Sequence, residues 1–205
     1  MRKSYIVSAK RTAIGSFLGG LATVKPKDMG SAVVKALLED ANVAPENVDE
    51  VICGNVLGAG LGQNIGRTIA LEAGIPETVC AHSVNMVCGS GLRTVMEAVM
   101  SIQCGFNDIV VAGGVESMSG APYLIPANTR TGNKMGNFTV VDHMIYDALT
   151  DARANIHMGV TAENIAKKYN ITREEQDAYG YASQQKAIAA VDSGRFKDEI
   201  VPITV

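Results

Sequence analysis

The sequence contains no apolar run of about 18 residues, so no segment has the length of a membrane-spanning helix. Its opening, "MRKSYIVSAKRTAIG", meets charged residues too early for the apolar core of a secretory signal, and a soluble cytoplasmic protein is the expectation. Basic excess is also missing: 18 Lys and Arg stand against 21 Asp and Glu, a formal net charge of −3. That balance argues against nucleic acid as a partner, and an anionic ligand has to be met by local donors. The four cysteines, Cys53, Cys80, Cys88 and Cys104, make no CxxC pair, which argues against structural zinc. Without a signal segment they read as thiols rather than bridges. The three histidines, His82, His143 and His157, form neither an HExxH nor an HxxxH pair, so no metal site is expected.

What is present is enough apolar material for a core: 47% of 205 residues. "SYIVSAKRT" reads as a strand, "DMGSAVVKALLEDAN" (28–42) as an amphipathic helix, and "VDEVICGNVLG" (48–58) as a second, mostly apolar strand. "NIGRTIALEAG" supplies the next helix, stopped by Gly74 and Pro76. A strand over 79–87, a helix from Leu92 and a strand over 108–120 follow. Strand and helix alternating at short spacing predict an α/β fold with a parallel sheet and helices packed on it. The helix "LRTVMEAVMSIQCG" is interrupted only by Arg93 and Glu97, so burial on most sides is expected.

From about residue 121 regular periodicity gives way to an irregular stretch, "APYLIPANTRTGNKMGNFTVVDHMIYDALTDARANIHMG", of the kind that marks a functional or interface excursion. Helical signals return with "TAENIAKKYN" and with "TREEQDAYGYASQQKAIAAVDSG", where Thr172 and Glu175 form a capping box and Gly194 is a stop. "DEIVPITV" reads as a strand beginning, and a strand at a terminus with nothing to pair it suggests a chain that continues.

The glycines of "GNVLGAGLGQNIG" invite a dinucleotide reading. GxGxxG fails in both registers, however: Gly58 and Gly60 lead to Gln63, and Gly60 and Gly62 lead to Ile65. A flexible strand-to-helix connection is the preferred reading.

"NMVCGSGLRT" is different. A strand ends near Val87 and a helix starts two or three residues later, so Cys88 sits against unpaired N–H groups and the positive end of the helix dipole, which favours the thiolate. Gly89 and Gly91 admit sharp angles and close approach of a substrate, and the Cys88 N–H is placed to meet an oxyanion. On spacing alone two readings stay open: a nucleophile at an elbow, or a small buried apolar residue. Cys53, Cys80 and Cys104 are expected to be packing residues. His157, at the mouth of a helix, reads on its own as a satisfied histidine, as do His82 and His143.

Taken together, "RTAIGSF" (11–17), "GNVLGAGLGQN" (54–64), "VNMVCGSGLRTV" (84–95), "VVAGGVESMSGAPY" (110–123), "HMGVTAENIA" (157–166) and "REEQDAYGYASQQKA" (173–187) resemble thiolases of the short-chain, acetyl-CoA acetyltransferase branch. The blocks are colinear and span essentially the whole chain. The resemblance implies a layered α/β fold, with residues 1–120 as the N-terminal domain, 121–205 as part of the loop domain, and the C-terminal domain absent. It implies that Cys88 accepts the acyl group, that His157 and Met158 with Leu149 line the pantetheine channel of coenzyme A, and that dimers pair into tetramers through the segment around "TRTGNKMGNFTVVD". The implied reaction joins two acetyl-CoA molecules into acetoacetyl-CoA and CoA, reversibly, with no cofactor beyond the CoA thioesters. Ketoacyl synthases and hydroxymethylglutaryl-CoA synthases share the layered fold, but "HMGVTAEN" and "VCGSGLR" argue against both. The family's later blocks, a Gly-His-Pro histidine and a cysteine before a glycine run, occur nowhere in these 205 residues. The 205-residue stretch alone is therefore expected to be catalytically silent, and the alternative is a shortened, non-catalytic CoA-binding or assembly protein.

Overall fold

Glu50–Gly54 (β1) is the middle strand of a three-stranded parallel sheet in the computed structural model, which describes residues 2–205. Cys80–Val84 (β2) lies on one side and Val110–Gly114 (β3) on the other, with Glu50 opposite Cys80 and Val110, and Gly54 opposite Val84 and Gly114. Parallel neighbours require crossovers, and helices supply them. Pro26–Asp40 (α1) precedes β1, Ile65–Glu72 (α2) joins β1 to β2, and Ser90–Cys104 (α3) joins β2 to β3. This is the α/β class that the alternating pattern predicts.

Each boundary has a local cause. Pro26 occupies the first turn of α1, where a missing N–H costs nothing. The Asn64 side chain accepts the Arg67 N–H at 3.1 Å and starts α2, and Gly74 at φ +91° closes the turn beyond it. Alternation along the strands then sorts the two faces. Val51, Cys53 and Val111 join Val34 and Leu38 of α1 and Ile65, Ile69 and Ala70 of α2 in one apolar cluster. Gly30 allows α1 to lie close on α2, since a Cβ there would meet Ile69 Cδ1 at 2.4 Å. The other face, with Ile52, is covered by α3, and the buried Thr94 hydroxyl donates to the Gly113 carbonyl at 3.1 Å.

Four expectations are corrected. Residues 4–12 form no strand: Tyr5, Ile6 and Val7 are exposed, and an open groove of about 230 Å³ lies between Lys10–Thr12 and the edge of β3. A ladder needs a neighbour within hydrogen-bonding distance, and alternation alone does not supply one. "DEIVPITV" is likewise no strand, although the Val201 N–H donates to the Arg11 carbonyl at 2.7 Å. Helix α3 buries only the stripe Ser90, Thr94 and Ala98, leaving Leu92, Met96 and Met100 exposed. Cys53 is buried as expected, but Cys80 and Cys104 are exposed.

Burial pushes the Cys53 thiol up to about 11. In the unfolded chain that thiol ionises near 9, so its folded-state preference for the protonated form contributes fully below pH 9 and is lost as pH rises through 11. The midpoint of thermal unfolding is therefore expected to fall between pH 9 and 11, and Cys53→Ala is expected to flatten that slope while lowering stability at neutral pH. An unchanged slope in the variant would remove Cys53 as the cause.

The chain divides into two compact units, one of residues 1–148 with 201–205 and one of residues 149–200. In the first, the irregular stretch contains a small antiparallel pair, Tyr123–Leu124 (β4) with Val141–Asp142 (β5), and a π-helical turn begins at Met144. The second holds Met158–Tyr169 (α4) and Arg173–Asp192 (α5), neither with a buried residue. The capping box of α5 is present in full: the Thr172 hydroxyl accepts the Glu175 N–H and the Glu175 carboxylate accepts the Thr172 N–H. No helix among the described residues is long and apolar enough to cross a membrane.

Candidate active site

Five residues, Asn85 to Gly89, separate the end of β2 from the start of α3, and Cys88 lies within them, exposed. The chain reverses in two overlapping turns, with the Gly89 N–H donating to Met86 C=O and the Ser90 N–H to Val87 C=O, both at 3.1 Å. Val87, directly before the cysteine, has φ +49°. The first helical donors beyond the thiol remain open: the Gly91 and Leu92 N–H groups have no hydrogen-bond partner among the described residues. Cys88 stands directly before Gly89, the N-cap residue of that helix. The arrangement suits attack on an electrophilic carbonyl approaching from solvent.

The space for this elbow is made by glycine. A Cβ on Gly54, at the end of β1, would lie 2.9 Å from the Ser90 carbonyl carbon and 3.0 Å from Gly91 N. Glu116, just beyond β3, fixes the neighbouring loop: its carboxylate accepts the Val56 N–H at 3.0 Å, the Leu57 N–H at 2.9 Å and an Asn55 side-chain N–H at 3.0 Å. Nothing in the sequence distinguishes this glutamate from a surface charge, because its three donors come from residues sixty positions away.

Leu149, His157 and Met158 are brought together in the second unit. The π-helical turn Met144–Leu149 ends at Leu149, and Thr150 pairs with His157 in an antiparallel bridge. Asp151 closes the turn between them, its carboxylate accepting the Arg153 N–H at 3.0 Å and its own N–H donating to Ile156 C=O at 2.9 Å. His157 is the N-cap of α4, its Nδ1 accepting the Gly159 N–H at 3.0 Å, which leaves Nε2 to donate. Both His157 and Met158 are exposed.

The other two histidines are satisfied, as the sequence suggests. His82 lies between Glu50 at 3.4 Å and Glu97 at 3.3 Å. The Arg93 guanidinium, and then His82, hold the Glu97 carboxyl below its usual range. His143 is buried, with Nδ1 on Asp147 and Nε2 accepting the Ala59 N–H at 3.4 Å; neither nitrogen is left for chemistry. No group of three potential metal ligands occurs among the described residues.

Comparison with known proteins places the chain in a family. Residues 4–205 match the family model of the thiolase N-terminal domain. The chain is 55% identical to an acetyl-CoA acetyltransferase of Chromobacterium violaceum over 200 residues, which is 98% of this chain and 51% of the relative. It is 53% identical to one of Pseudomonas aeruginosa and 52% identical to one of Escherichia coli, in each case over 100% of this chain and 52% of the relative. The chain thus spans about half the length of the curated relatives it matches.

Proposed function

The chain belongs to the thiolase family, and from that premise we propose that the whole protein condenses two acetyl-CoA molecules into acetoacetyl-CoA and CoA, reversibly, through an acyl-cysteine on Cys88. The thiolate adds to the thioester carbonyl, CoA leaves as its thiolate, and an acetyl-S-cysteine remains. A second acetyl-CoA, deprotonated at its methyl carbon, attacks that acetyl carbonyl; the carbon–carbon bond forms and the Cys88 thiolate leaves. Leu149, His157 and Met158 line the path of the pantetheine arm, two apolar side chains beside an imidazole with a free donor. Residues 1–120 belong to the N-terminal domain and 121–205 to the loop domain, and the complete enzyme works as a cytoplasmic homodimer or homotetramer. No cofactor beyond the CoA thioesters is involved.

The observation that carries this reading is an exposed cysteine at a strand-to-helix elbow in a chain more than half identical to acetyl-CoA acetyltransferases along its whole length. Incubating the natural full-length protein with acetoacetyl-CoA, quenching in acid and mapping peptides by mass is expected to place one acetyl group on the Cys88 peptide. Acetylation of another residue, or CoA binding without acylation, would overturn it.

A further inference from the structure

Resting on the reading of Cys88 as the nucleophile, we propose that Ser90 and Asn85 are positioning residues that hold Val87 in a left-handed backbone conformation and thereby aim the Cys88 thiol. Five non-glycine residues have positive φ among the described residues: Leu18, Asn42, Val87, Asn155 and Asn170. Three are asparagines, which tolerate that region through their short polar side chains. Val87 is the only β-branched member, and a β-branched residue at φ +49° is an outlier that persists only where its surroundings over-determine it.

The surroundings of Val87 do so on both sides. Its N–H donates to Asn85 Oδ1 at 3.0 Å, and its carbonyl accepts the Ser90 hydroxyl at 2.6 Å and the Ser90 N–H at 3.1 Å. The same Ser90 oxygen accepts the Met86 N–H at 2.8 Å, so one hydroxyl ties the residue before Val87 to the carbonyl after it. Ser90 is itself only 5% exposed, fixed between the end of β1 and the first turn of α3. The brace is therefore anchored in the core while the residues it shapes, Val87 and Cys88, stand exposed. Relaxing Val87 to negative φ would rotate the peptide that leads into Cys88 and change the direction in which its thiol is presented. A purely structural serine would cap the helix; this one accepts from and donates to residues on the strand side of the nucleophile.

The test uses the natural full-length protein and reads two rates at Cys88: acetyl transfer from acetoacetyl-CoA, and alkylation by iodoacetamide. The exposed Cys80 and Cys104 peptides serve as internal references. Ser90→Ala is expected to slow both rates at Cys88 about tenfold, with KM for the thioester within about twofold and the two reference cysteines unaffected. Glycine adopts positive φ without steric cost, so adding Val87→Gly to Ser90→Ala is expected to recover at least about threefold of the loss. A Ser90→Ala rate within about twofold of wild type, or a double variant no faster than the single one, overturns the proposal. If Ser90→Ala does not fold, Asn85→Ala takes its place with the same outcomes, since Asn85 is exposed and removes only the acceptor for the Val87 N–H. A wild-type Cys88 that is never acetylated would refute the nucleophile reading instead, and the alkylation rates would still decide the brace.

Discussion

Cys88→Ser in the whole protein is expected to lower kcat for thiolysis of acetoacetyl-CoA by roughly a thousandfold or more, with little change in affinity for CoA. The substitution preserves size and the elbow, and the side chain is exposed, so folding has little reason to change. What it removes is the sulfur atom, an intrinsically far better nucleophile toward a thioester than a hydroxyl oxygen. A serine hydroxyl needs a base to become a comparable nucleophile, and among the described residues no hydrogen bond links the side chain at position 88 to one. Loss of the enolate absorbance of acetoacetyl-CoA on adding CoA measures the rate directly. The matched control is Cys104→Ser, at the far end of α3, where the thiol is exposed but faces no elbow and activity is expected to be retained. Retention of more than about a tenth of the wild-type rate in Cys88→Ser would show that the acyl group travels another way.

The elbow was legible in the sequence because its parts are local. An apolar strand, a cysteine, two glycines and the start of a helical pattern follow one another directly along the chain, and the capping box at Thr172 and the stops at Gly74 and Gly194 are each set by a few adjacent residues as well. The remainder depends on contacts that distant segments make. "SYIVSAKRT" has the alternation of a strand, but a ladder depends on a neighbouring backbone running alongside, and a groove separates Lys10–Thr12 from β3 while the Val201 N–H meets only the Arg11 carbonyl. The largely apolar character of α3 marks a helix, yet burial is a property of what packs against a side chain, and among the described residues Leu92, Met96 and Met100 stand exposed. The expected packing of Cys80 and Cys104 fails for the same reason. Val87 is the clearest case of information the sequence does not display: a valine argues for extended backbone, and only the hydroxyl of Ser90 and the amide of Asn85 explain why it adopts the opposite sign of φ.

Gly54→Ala is expected to damage stability and the nucleophile together, which separates the elbow from an ordinary surface loop. The added methyl would sit 2.9 Å from both the carbonyl carbon and the Cβ of Ser90 and 3.0 Å from Gly91 N. These are backbone atoms of the first turn of α3, or atoms rigidly attached to it, so no flexible side chain can give way. Either β1 must leave its register with β2 and β3, or the start of α3 must move outward and carry Ser90 with it. The strand is held on both sides by parallel ladders and the helix start is held at its rim, so the helix is the part that yields. A displaced Ser90 can no longer serve both Met86 and Val87. Overpacking of this kind costs about 1–3 kcal/mol, read as a fall in the urea midpoint, and Cys88 alkylation should slow in the same variant. Gly91→Ala is the comparison that isolates the cause: it adds a methyl to the same helical turn, but with no atom within 4 Å, and gains about 1 kcal/mol of helix propensity. If Gly54→Ala proves as stable as Gly91→Ala, the end of β1 does not set the position of the helix start, and the coupling between sheet and nucleophile falls with it.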